Sequence, residues 1–192
     1  THANGHVEPV IERIVEIVAE LQERATQRGD EKVLGVGIGT PGLVDGTTGV
    51  VRDAVNLGWK EVALAQLATT AIHTHSGHTV PVWVENDANS QIVGELIFGA
   101  GRGLDNIALL AIGTGLGGGI ITNRQLVAGA TYTAAEIGHL SFDPDQGRPC
   151  ACGLRGCVET VVSGPGLVKT AHELMAAGHH SSLHAQYRAE HV

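Results

Sequence analysis

Four residues carry the sharpest chemistry in this sequence: His139, Cys150, Cys152 and Cys157. All three cysteines of the chain fall within eight positions, and an odd, clustered set reads as metal ligands rather than as a disulfide framework. Three thiolates and an imidazole are the donor types that tetrahedral Zn2+ prefers, whereas Mg2+ and Ca2+ want oxygen. Four protein ligands would close the shell, so the zinc would be structural. Gly153 and Gly156 let the backbone turn between the sulfurs. The competing reading is three unconnected buried thiols, and the Cys-x-Cys-Gly-x-x-Gly-Cys run is too organised for that.

Two carboxylates flank this cluster. Glu136 precedes His139 by three residues and Glu159 follows Cys157 by two. A metal-ordered loop would bring both beside the imidazole, a set suited to polar hydroxyls, although a lone Glu is more often a solvated charge. Asp87 ends an apolar run, where α/β folds place ligand-binding groups. It could act as general base toward a hydroxyl or simply cap the following helix. Gly113-Thr114-Gly115-Leu116-Gly117-Gly118-Gly119 contains G-x-G-x-x-G, but another strand follows it instead of a helix, which argues against a dinucleotide-binding turn. Nor is it a Walker A loop, since it lacks G-K-[ST]. The segment could aim N–H groups and the Thr114 hydroxyl at a phosphate, or be a tight hairpin that needs positive φ.

The elements that must position these groups alternate between helix and strand. Val7, Val10, Ile11, Ile14, Val18 and Leu21 recur at helical spacing, with Gly29 and Asp30 ending the helix. Strands are expected at 33–38, 80–84, 107–112 and 118–122, and helices at 61–73, 88–98 and 166–177. The segment from Gly39 to Gly49 reads as turn-rich, Asn123-Arg124 as a hairpin turn, and the stretch to Cys157 as irregular. The pattern is α/β. The histidines of the tail (His179, His180, His184, His191) read as a solvated end with at most weak metal affinity.

Composition narrows the class. Of 192 residues 43% are hydrophobic, with only two each of Trp, Tyr and Phe, so the core must be aliphatic. A formal net charge of −8 argues against nucleic-acid binding through this stretch. Apolar runs fall short of the roughly 18 residues that a membrane span needs, and without a signal or lipidation motif the cytoplasm is the expected location.

Taken in order, the motifs resemble those of the ROK (Repressor, ORF, Kinase) family. The resemblance rests on Glu136-Ile137-Gly138-His139, Gly147, and the run Cys150-Ala151-Cys152-Gly153-Leu154-Arg155-Gly156-Cys157-Val158-Glu159. Upstream it rests on Gly39-Thr40-Pro41-Gly42-Leu43-Val44-Asp45, Asn56-Leu57-Gly58-Trp59 and Glu85-Asn86-Asp87-Ala88-Asn89. It implies an actin-like (ribonuclease H-like) α/β fold of two lobes about a cleft. Residues 1–99 would be the remainder of the N-terminal lobe. Residues 100–192 would begin the C-terminal lobe and carry the zinc loop (139–157), so that the chain spans the seam.

In the family's kinases the residue matching Asp87 is the catalytic base. Those matching Asn86, Glu136, His139 and Glu159 hold sugar hydroxyls, and Gly42 and Asn56 are carried over as substrate contacts. His139 would serve zinc with one ring nitrogen and sugar with the other. Gly113, Thr114, Gly115, Gly117 and Gly118 would face the phosphates of ATP with Mg2+. The family's first phosphate loop and its adenosine-binding glycine segment have no counterpart here, so a longer, homodimeric parent is expected and no ATP turnover by this chain alone. Two parents fit: a hexose or N-acetylhexosamine kinase, or a sugar-responsive repressor with its DNA-binding module elsewhere. The absence of an extra Pro at Val55–Trp59 leans toward regulators, and an intact Asp87 with an undegraded glycine turn leans toward kinases. A third class is a zinc-stabilised interaction module that binds no sugar.

Overall fold

A computed structural model describes residues 5–29 and 32–182. Asp30, His184 and His191 of the expectations above lie outside these. The first helix, α1 (Glu8–Gln27), has Pro9 in its first turn, where a fixed φ helps and a missing N–H costs nothing, and its acidic start and basic end match the helix dipole. Its apolar stripe packs on α2 (Leu64–Ser76), which Gly77 closes in the left-handed conformation with its N–H on the His73 carbonyl.

Strand β1 (Val36–Thr40) runs parallel to β5 (Val82–Asn86), in register to the Thr40–Asn86 pair. Between them in sequence lies an antiparallel meander of β2 (Leu43–Asp45), β3 (Val50–Ala54) and β4 (Trp59–Val62). One core cluster joins Val44, Val51, Ala54, Trp59, Leu64 and Val84, and another joins Val18, Ile72 and Val80. Burying a side chain such as Leu64 contributes about 1.5–3 kcal/mol. After β5 come α3 (Asp87–Phe98), then β6 (Ile107–Ile112), β7 (Leu116–Thr122) and β8 (Gln125–Leu126) in one sheet. The chain ends its described part with α4 (Glu159–Val162) and α5 (Gly164–Ala176).

The expected elements are present with shifted bounds (the strand expected at 80–84 is Val82–Asn86, that at 118–122 is Leu116–Thr122, and the last helix runs Gly164–Ala176), and three further differences have local causes. The first strand begins at Val36 rather than Val33, because the Val33 N–H is taken by the Gln22 side chain at 2.9 Å instead of a ladder partner. The segment read as turn-rich holds β2, and the meander continues through β3 and β4. The second helix starts at Leu64, since Glu61 and Val62 belong to β4. Asn123 and Arg124 do form the hairpin turn, with φ of 49° and 63°.

The described residues fall into two compact units, one within 5–107 together with 121–134, the other 108–120 together with 135–182. Among the described residues no helix is long and apolar enough to cross a membrane.

Candidate functional site

In the first unit the candidate residues gather where β5 runs into α3. Asn86 leaves the strand at φ −58°, ψ 145° and caps the helix, its Oδ1 accepting from the N–H groups of Ala88 (2.9 Å) and Asn89 (3.1 Å). Its Nδ2 donates to the Gly42 carbonyl at 3.0 Å. Three of the four hydrogen bonds an asparagine side chain can make are therefore internal, and one N–H is left for a ligand. Gly42 is at φ +97°, and a Cβ there would come within 2.2 Å of the Asp53 carbonyl oxygen, so only glycine fits. The cap role that the sequence left open for Asp87 belongs to Asn86. Asp87 is the first helical residue; among the described residues its exposed carboxylate accepts only the Ala88 N–H, at 2.9 Å from Oδ1.

Glu85, not singled out from the sequence, braces this junction. Its Oε1 accepts the Asn86 N–H at 2.8 Å and the Asn89 amide at 3.1 Å. Asn56 is exposed in a single 3-10 turn (Val55–Leu57). Beyond Gly42 on the same hairpin, Asp45 is only 3% exposed. Burial pushes its carboxyl up, but hydrogen bonds from Thr48, Tyr132 and Arg52 outweigh that and lower it to about 2.

The second unit contains the cysteine cluster. His139 ends the 3-10 turn Ile137–His139, and one ligand atom from each of His139, Cys150, Cys152 and Cys157 lies within 4.8 Å of the others. His139 Nδ1 is 3.5 Å from Cys150 Sγ, and the Sγ atoms of Cys152 and Cys157 are 3.7 Å apart. A tetrahedral ion with metal–sulfur bonds of about 2.3 Å and metal–nitrogen bonds of about 2.0 Å sets the nitrogen–sulfur edge at about 3.5 Å and the sulfur–sulfur edge at about 3.8 Å. The donor set and its spacing fit a metal ion. Burial, then the neighbouring thiols, push Cys157 up to about 12, whereas the Leu154 backbone N–H leads the contacts that lower exposed Cys152. At neutral pH a cation would have to displace the Cys157 proton, so metal uptake would release acid.

The loop's shape depends on missing side chains. Gly156 (φ +68°) passes so close to the Asp143 carbonyl that a Cβ would come within 2.0 Å of its oxygen. Arg148, a residue the motif reading passed over, anchors the loop to α4 and α5.

Glu136 and Glu159 each have a close neighbour in this unit's site. Glu136 Oε2 lies 3.9 Å from His139 Nε2, the ring nitrogen turned away from Cys150. Glu159 opens α4, and its Oε2 accepts the Leu116 N–H at 2.8 Å. A Cβ on Gly115 would come within 2.5 Å of that same oxygen. In the turn between β6 and β7 the Gly113 N–H bonds the Gly115 carbonyl (2.9 Å), and the Gly113 carbonyl accepts from Gly164 (2.8 Å). Among the described residues, the N–H groups of Thr114 and Gly115 have no internal partner. Gly117 and Gly118 lie inside β7, and Gly118 is buried, with a Cβ placed 2.6 Å from the Ala135 carbonyl oxygen. Packing explains why Gly118 is glycine, and the Gly113 N–H is spent inside the turn.

The ROK family's sequence model matches residues 5–190. The chain is 40% identical to the glucokinase of Thermotoga maritima over 177 residues, 92% of this chain and 51% of that protein. A ROK family glucokinase from Streptomyces griseus, crystallised with glucose and AMPPNP, superposes with a TM-score of 0.71 at 39% identity, covering 90% of this chain and 51% of that one. A ROK family transcriptional regulator homologous to the Escherichia coli MLC protein gives 0.73 at 30% identity, covering 91% and 42%. The chain thus spans about half the length of the curated relatives it matches. Its fold is the actin-like α/β fold of the ROK kinases.

Proposed function

This chain belongs to the ROK family, and on that footing we propose that it forms the sugar- and zinc-binding part of an ATP-dependent hexose or N-acetylhexosamine kinase. The observation that carries this reading is the division of labour at the β5–α3 junction. Asn86 does the capping, which leaves the Asp87 carboxylate exposed with an oxygen available to a substrate hydroxyl, as a general base requires. The Streptomyces griseus relative, solved with glucose and AMPPNP, supports the same ligand classes.

Zn2+ would be held by His139 Nδ1 and the three sulfurs and would act structurally. With Nδ1 on the metal, Nε2 of His139 and the Glu136 carboxylate face a sugar hydroxyl together. Glu159 would offer its second oxygen in the second unit, and Asn86 its remaining N–H in the first. The Thr114 and Gly115 N–H groups and the Thr114 hydroxyl would meet phosphate oxygens. When bound, ATP with Mg2+ supplies the phosphoryl group and its charge compensation, and the residues here contribute positioning. A cytoplasmic, homodimeric parent completes the reading.

The second reading, a sugar-responsive repressor, is favoured by the short, proline-free turn at Val55–Leu57 and by the likeness to the MLC-type regulator. Assaying the intact protein that contains these residues separates the two. Asp87→Asn should lower ATP-dependent hexose phosphorylation by about 10²–10⁴-fold while calorimetry still records hexose binding. An unchanged rate would remove Asp87 as the base. Hexose binding without phosphorylation in the unsubstituted protein would favour the repressor.

A further inference from the structure

Arg148 lies in the metal loop, two residues before Cys150, yet its side chain reaches out of the loop and is only 16% exposed. Its Nη1 donates to the carbonyls of Thr160 (2.7 Å) and Gly166 (3.1 Å), and its Nη2 to Thr170 Oγ1 (2.9 Å) and Glu173 Oε2 (2.5 Å). Gly166, Thr170 and Glu173 form one stripe of α5, while Thr160 belongs to α4. A planar fork with five donors can satisfy four acceptors spread over two helices, which the three donors of a lysine on a single nitrogen cannot. The other end of the connection is the loop itself, where the Arg148 carbonyl accepts the N–H of Gly156, the neighbour of Cys157, at 2.9 Å.

The two helices so gripped hold the turn between β6 and β7. Glu159, adjacent to Thr160, accepts the Leu116 N–H, and Gly164, at the start of α5, donates to the Gly113 carbonyl. A contiguous set of bonds therefore runs from the metal loop through one guanidinium to Glu159 and the 113–115 turn. We propose that Arg148 is a positioning residue that carries the order of the metal loop into Glu159 and the glycine turn, so that the metal fixes more than His139. The consequence for ligand binding rests on the sugar-kinase reading; the coupling itself does not.

Hydrogen exchange of single amides tests it on the Co2+-loaded chain, with the cobalt–thiolate absorption reporting the metal. Arg148→Gln should keep the cobalt spectrum and the protection of α1 and α2, while the Leu116 and Gly164 amides exchange about tenfold faster or more. Arg148→Lys should fall between. Thr170→Val, which removes one acceptor and leaves the loop sequence intact, should move the same two amides less and in the same direction. Unchanged exchange at Leu116 and Gly164 in cobalt-loaded Arg148→Gln would overturn the proposal. So would loss of cobalt with loosening confined to 139–157, since Arg148 would then serve the loop alone. Glucose titration reads the dependent claim separately: if the unsubstituted chain binds no glucose while the exchange pattern holds, the kinase reading falls and the coupling stands.

Discussion

The β5–α3 junction and the 139–157 loop present candidate ligand groups by opposite means. The junction uses regular structure: a parallel ladder ends at Asn86, a helix begins at Asp87, and one side chain supplies the cap. Its surroundings are an apolar core in which Val84, Leu64 and the one aromatic member, Trp59, are almost fully buried. The loop holds one 3-10 turn and two isolated bridges, and its only fully buried side chain is Cys157, while Leu140, Phe142 and Leu154 are exposed. Hydrophobic burial can hold the first without help. The second lacks that resource; backbone crossings at glycine and the Arg148 fork replace part of it, and a metal ion on the four candidate donors would replace the rest.

The strongest way to break this contrast is to remove a sulfur. Cys157→Ser, or chelation of the unsubstituted protein, should abolish stoichiometric metal binding, which in small zinc-organised sites is linked to folding by about 10 kcal/mol or more. Exchange protection should collapse across 139–157 and persist in α1, α2 and β5. A global loss of protection would show that the junction depends on the metal as well. A smaller effect sharpens the other side: Asn86→Ala removes the cap and the tie to Gly42, and should cost about 1–2 kcal/mol in a denaturant melt without altering metal stoichiometry.

The smallest effect concerns acid. Asp45 is lowered to about 2 by its hydrogen bonds, below the roughly 3.9 of a free aspartate. Because the folded value is the lower one, its contribution is present above about pH 4 and is lost as the pH falls through about 2. Melting temperature should therefore drop over that window in the first unit, and Asp45→Asn should flatten the drop. An equal slope in both proteins would assign the acid sensitivity elsewhere.

Much of this organisation is legible in the sequence because it rests on local signals. The apolar run 107–112 is β6 without adjustment, Asn-Arg at 123–124 sits in left-handed turn geometry, and the Cys-x-Cys spacing identifies the donor set. The meander β2–β4 escaped because its strands have three to five residues and include Arg52, Asp53, Lys60 and Glu61, which mask alternation. The division of roles between Asn86 and Asp87 depends on ψ at the strand end, which residue type alone does not set. Arg148 escaped for a different reason: a single cation in a loop has no periodicity, and its four acceptors lie 12 to 25 positions away.

The unequal exposure of the cysteines has a kinetic consequence. Cys152 is open to solvent and Cys157 is sealed. Were a metal ion held by the four donors, a chelator or a competing soft ion would meet Cys152 first and Cys157 last, so removal would proceed stepwise from the exposed sulfur.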